Sequence, residues 1–151
     1  MKSAYNIYKE VMAFQRKHPG GVAWRIPKHC EIIAKHLNPG EEAIFAFAGQ
    51  KNDFWYSLFN TYVVVLTNKR LILGRKRLIW GYFFSSVTPD LYNDLLVYQG
   101  IIWGKVTIDT VKEVIVLTNL SKSSLDAIET NITEFMMKEK RKYGKKETEK
   151  N

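Results

Sequence analysis

Apolar side chains recur at helical spacing along residues 3–17, where Ala4, Ile7, Tyr8, Val11, Met12 and Phe14 form one broad stripe. His18-Pro19-Gly20-Gly21 ends that helix. A second helix is expected from Pro27, a residue suited to a first helical turn, with Cys30, Ile33, Ala34 and Leu37 on its apolar face and Asn38-Pro39-Gly40 beyond it. From Glu42 the period shortens to that of strands. Phe45 and Phe47 alternate with Ala46 and Ala48, Tyr62–Thr67 is a β-branched run, and Asn68-Lys69 is a tight turn leading into Arg70–Gly74. Arg75–Phe84 reads as a further strand with Gly81 as a bulge, and Leu91–Tyr98 as a mixed segment. Ile102–Thr110 alternates cleanly, and Val111–Thr118 follows as another strand. No helical pattern separates these strands, so the sheet is expected to be antiparallel. The last element is a helix capped by Ser123, with Leu125, Ile128, Ile132, Phe135 and Met136 on one stripe. No internal repeat is visible.

Composition changes this picture little, and charge changes it more. The 151 residues suit one domain, and 46% hydrophobic with 25% charged residues excludes wholesale disorder. No apolar run approaches the roughly 18 residues of a membrane span. Lys9 and Glu10 interrupt the place where a signal peptide needs its apolar core. The lone Cys30 makes a reducing cytoplasm the natural expectation. The net charge of +8 is uneven. Residues 54–89 carry five cations (Lys69, Arg70, Arg75, Lys76, Arg77) and no anion, whereas residues 90–137 carry seven anions against three cations. Residues 141–151 read as a basic, disordered tail, because they offer too little apolar surface to offset ordering entropy.

Two helices, about seven antiparallel strands and a closing helix make an α+β, mainly β chain. Asn38-Pro39-Gly40-Glu41 before the first strand, Val65-Leu66-Thr67-Asn68-Lys69-Arg70-Leu71-Ile72 across a hairpin, and Gly100-Ile101-Ile102-Trp103-Gly104 before an alternating strand carry a resemblance. From about residue 38 to 135 the chain resembles the bacterial pleckstrin-homology-like (PH-like) domains, the YokE-like group in particular. That resemblance implies a split barrel of two nearly orthogonal sheets capped by the C-terminal helix, and no enzyme. Residues 1–37 are then an N-terminal helical extension, 38–140 the PH-like domain, and 141–151 the tail.

Motifs for catalysis or cofactors do not occur: there is no P-loop, dinucleotide fingerprint, zinc-protease or nucleophile-elbow pattern. His18, His29, Cys30 and His36 invite a metal reading. However, His29 and His36 lie seven residues apart, about 10.5 Å along a helix, too far to share one ion. Neighbours such as His29 and Cys30 point about 100° apart, which argues against a nucleophile–base pair. No cofactor and no metal are expected.

The segment joining the first two strands, Gln50–Thr61, lies where the wider fold often contacts phosphoinositides. It departs from that pattern, offering only Lys51 against Asp53 but Phe54, Trp55, Tyr56 and Phe59. The sequence therefore nominates a partner interface of Ile7, Val11, Phe14, Phe54, Trp55, Tyr56 and Phe59. Its anionic-ligand surface is Lys69, Arg70, Arg75, Lys76 and Arg77. The leading expectation is a cytoplasmic, non-enzymatic binding or assembly module that meets a protein partner or itself. Peripheral binding to anionic lipid through the basic and aromatic surface is the alternative, and nucleic-acid binding, suggested by a pI near 9.5, is the second.

Overall fold

The computed structural model describes residues 2–20, 23–51 and 60–150. Two helices, α1 (Lys2–Lys17) and α2 (Ile26–Lys35), precede seven strands: β1 (Ala43–Lys51), β2 (Thr61–Thr67), β3 (Leu71–Lys76), β4 (Tyr82–Val87), β5 (Tyr92–Gln99), β6 (Gly104–Thr110) and β7 (Val114–Leu120). A long helix, α3 (Leu125–Thr148), closes the chain. All pairings are antiparallel, in the order β4-β3-β2-β1-β7-β6-β5. β1 meets β7 only at Gln50–Thr118 and Lys51–Leu117, whereas it pairs with β2 along its length. The sheet is thus two half-sheets joined at one corner, which is the split barrel.

Two cores lie on opposite faces of β1–β3. Inside the barrel, Phe47, Val64, Leu66, Leu71 and Leu73 meet Val106, Ile108, Ile115 and Leu117 of the other half-sheet. Leu125, Ile128, Ile132 and Met136 of α3 are buried in that same core, as their single stripe leads one to expect. Outside it, Ala46, Val63, Val65 and Ile72 are covered by Ile7 and Val11 of α1 and by Ile26, Cys30 and Ile33 of α2. β2 is buried at every residue because both its faces are covered, and that is why Tyr62-Val63-Val64-Val65-Leu66 is continuously apolar rather than alternating. Gly74 permits the close seating of α2, since a Cβ there would fall 2.4 Å from Ile33.

Several boundaries differ from the sequence expectation. The run from Arg75 to Phe84 is a hairpin, not one strand: the Arg77 amide donates to the Gly81 carbonyl (3.0 Å), and Gly81 takes φ +79°, a left-handed turn conformation that suits glycine. Leu91–Tyr98 resolves into a short 3-10 turn followed by β5. Ser123 does not cap α3. Its hydroxyl meets His18 and Ser121, and a 3-10 turn, Lys122–Ser124, leads into the helix. Residues 141–148, expected as a disordered tail, continue α3 as exposed helix, with Lys142 paired to Glu139 one turn back and Lys145 and Lys146 near the negative end of the helix dipole.

Candidate functional site

The structure turns the described members of the interface that the sequence grouped toward the chain's own core. Ile7 and Val11 are 1% and 0% exposed, because the stripe they form lies on the outer face of β1–β3 instead of at the surface. Phe14 is partly buried and packs edge-on to Phe45 at 5.1 Å and against Phe47. These three are therefore core and core-margin residues of the chain's own fold. Phe54, Trp55, Tyr56 and Phe59 lie outside the described residues.

The five clustered cations also separate. Lys69 and Arg70 precede β3, and Arg75, Lys76 and Arg77 stand at its far end, roughly 20 Å away along the strand. Arg70 is committed to structure. Its Nε and one terminal nitrogen donate to the two Glu41 oxygens (2.9 and 3.1 Å), the same terminal nitrogen reaches the His36 carbonyl (2.8 Å), and the other reaches Ser86 (3.2 Å). Lys69 donates to the Pro39 carbonyl. The Asn68 side chain accepts from the Glu42 amide and donates to the Gly40 carbonyl. The Asn38–Glu41 and Thr67–Arg70 segments thus fasten to each other, and neither Arg70 nor Asn68 is left for a ligand.

The other end of β3 is different. Alternation puts Arg75 on the barrel side with Leu71 and Leu73, and Lys76 on the opposite side. Arg75 lies over the rings of Tyr62 and Phe83 (5.9 and 5.7 Å), and Arg77 lies over Phe83 (5.5 Å). One terminal nitrogen of Arg75 donates to Asn60 (2.7 Å), whereas its buried Nε–H finds no acceptor among the described residues. Among the described residues no carboxylate pairs with Arg75, Lys76 or Arg77. Beyond this basic stem, the hairpin tip presents Leu78, Ile79 and Trp80 at 57%, 79% and 76% exposure. Arg75, Arg77 and those three residues line a cleft of about 390 Å³. Antiparallel pairing places this tip, the end of β1 and the β6–β7 turn at the same end of the strands. Lys51 there lies over Tyr62 and pairs with Glu113.

The tip shows what the linear reading passed over. Leu78-Ile79-Trp80-Gly81 and Ile101-Ile102-Trp103-Gly104 are nearly the same tetrapeptide, and each forms a hairpin tip, so the chain does contain a short repeat. Ile101 and Ile102 are 93% and 70% exposed at the opposite end of the strands. The stem of the second tip carries Lys105 over Tyr98, whereas that of the first carries Arg75, Lys76 and Arg77.

His29 braces that stem from behind. Its Nε2–H donates to the Trp24 carbonyl (2.9 Å), and its Nδ1 accepts the Lys76 amide (2.9 Å), a pattern that requires the neutral ring. Burial, reinforced by Arg25 and Arg75, lowers its pKa from 6.5 to about 4, against a smaller upward pull from the Trp24 hydrogen bond. The unfolded chain therefore binds the extra proton first. The stabilisation is complete above pH 6.5 and is lost as the pH falls toward 4, by about 3 kcal/mol in total. Urea titrations across that window are expected to show this slope in the wild type and its absence in His29→Gln. Burial pushes the neighbouring Cys30 thiol up to about 12, which leaves it a neutral core side chain. His36 donates to or accepts from Tyr82 and stacks on Phe84 at 4.2 Å. No described helix is long and apolar enough to cross a membrane.

Residues 37–134 match the family model described as "Bacterial PH domain". A search of curated proteins finds no match.

Proposed function

Because the chain belongs to the bacterial PH domain family, we propose that it is a non-enzymatic binding module that docks on anionic membrane surfaces through the β3–β4 hairpin. One observation carries this reading: an apolar Leu-Ile-Trp tip stands exposed on a stem whose Arg75 and Arg77 have no acidic partner among the described residues. Leu78, Ile79 and Trp80 suit the headgroup boundary, where an indole is at home. The two arginines below them sit at the depth of the lipid phosphates and are worth about 1 kcal/mol each near an anionic surface. The anionic cytoplasmic leaflet agrees with the compartment that a lone, reduced Cys30 suggests. Within the family we assign the chain to the YokE-like group on the strength of Thr67-Asn68-Lys69-Arg70-Leu71. The partner interface built on Ile7 and Val11 loses its support, since those side chains already cover the sheet.

Flotation of the full chain with phosphatidylserine-containing and with neutral vesicles tests the proposal. Binding is expected on the anionic vesicles only, weakened at about 0.5 M salt, and reduced at least about tenfold by Ile79→Glu with Trp80→Glu at an unchanged melting temperature. Equal binding by that variant, or binding to a DNA or RNA oligonucleotide in place of vesicles, would overturn it.

A further inference from the structure

The two half-sheets have unlike outer faces. Helices α1 and α2 pack on β1–β4, whereas the outer face of β5 and β6 presents its own side chains. Leu95, Val97, Val106 and Ile108 face the barrel core, so alternation turns Asp94, Leu96 and Tyr98 of β5, with Lys105, Thr107 and Asp109 of β6, outward. Leu96 and Tyr98 are each 63% exposed. The register makes three rows: Asp94 opposite Asp109, Leu96 opposite Thr107, and Tyr98 opposite Lys105, whose Nζ lies 5.5 Å over the Tyr98 ring.

This surface is polarised. Two carboxylates stand side by side at one end, an apolar residue occupies the middle, and a cation on an aromatic ring occupies the other end. Like charges directly opposite on a sheet are unfavourable, and among the described residues no cation pairs with either carboxylate. Asp94 accepts from the Leu95 amide (2.8 Å), and Asp109 accepts from the Asn93 side chain (3.5 Å). β5 is also the last strand of the sheet. Helix α3 packs against it and a bulge interrupts it between Tyr92 and Asp94, but residues 95–99 include none of the Pro, Lys or Arg residues that also guard such edges.

We propose that this edge joins two copies of the chain, related by a twofold axis, with their β5 strands side by side and antiparallel. Leu96 then faces Leu96, and each copy's Tyr98–Lys105 end lies beside the other's Asp94–Asp109 end. Charge selects this occupant, because the antiparallel arrangement sets cation beside carboxylates twice, whereas a parallel one sets like against like. The hairpin of β3 and β4 is not involved, so the dimer and the lipid reading stand or fall separately.

Sedimentation velocity of the full chain over a range of concentrations tests the dimer. The wild type is expected to be dimeric. Leu96→Lys is expected to be monomeric and still to melt cooperatively, as are Lys105→Asp and the double variant Asp94→Lys/Asp109→Lys when each is alone. Mixing those last two restores opposite charges at both ends and is expected to restore a dimer. A wild type that is monomeric at every concentration, a dimeric Leu96→Lys, or a mixture that stays monomeric would overturn the proposal. So would a monomeric wild type whose Leu96→Lys variant loses only vesicle binding, which would assign the patch to lipid.

Discussion

Arg70→Ala is expected to destabilise the folded chain by about 3–5 kcal/mol, the cost of leaving a buried carboxylate without its cation. The Glu41 side chain is fully buried and Arg70 is 15% exposed at its side chain. Glu41 accepts from the Asn38 amide (2.9 Å) and the Thr67 hydroxyl (2.8 Å) as well as from Arg70. Burial alone would raise its pKa, but these hydrogen bonds outweigh burial and hold it below the usual carboxylate value. Its contribution is therefore present above the ordinary glutamate range and lost as the pH falls through the depressed folded value. Glu41→Leu with Arg70→Met removes both charges together and is expected to cost much less than the sum of the single changes. Urea unfolding of the wild type, Glu41→Leu, Arg70→Met and the double variant measures the coupling, with Arg70→Ala unfolded beside them. An Arg70→Ala loss below about 1 kcal/mol would match a surface pair instead.

Ile132→Asp is expected to abolish cooperative folding altogether. Ile132 has no exposure and sits between Ile128 and Met136 on the α3 stripe that enters the barrel core. A carboxylate there has no hydrogen-bond partner and loses its hydration, a cost that exceeds what single substitutions on the surface produce. Deleting residues 143–151 is expected to leave the melting temperature nearly unchanged, because the described part of that segment is exposed helix beyond the core. Circular dichroism melts of the two variants separate the cases. A soluble Ile132→Asp protein with a sharp melt would mean that α3 is not the element that closes the barrel.

Local periodicity made the elements legible. The stripe of α1, the continuously apolar β2, the turn at Asn68-Lys69 and the single stripe of α3 are all properties of residues within a few positions of each other, and the sequence alone determined them. What covers an apolar stripe is not a local property. Ile7 and Val11 looked like an interface until the outer face of β1–β3 was placed beneath them. The cations of residues 54–89 are equivalent by composition, yet Arg70 is consumed by Glu41, 29 residues earlier, while Arg75 and Arg77 remain unpaired among the described residues. Arg75–Phe84 reads as one strand because hydrophobicity does not reveal where a hairpin turns, and only the turn at Gly81 exposes Ile79 and Trp80. The tertiary structure decided these points for one physical reason. Burial and ion pairing depend on which distant segments pair, and the pairing of β1 with both β2 and β7 brings together residues that no short window of sequence relates.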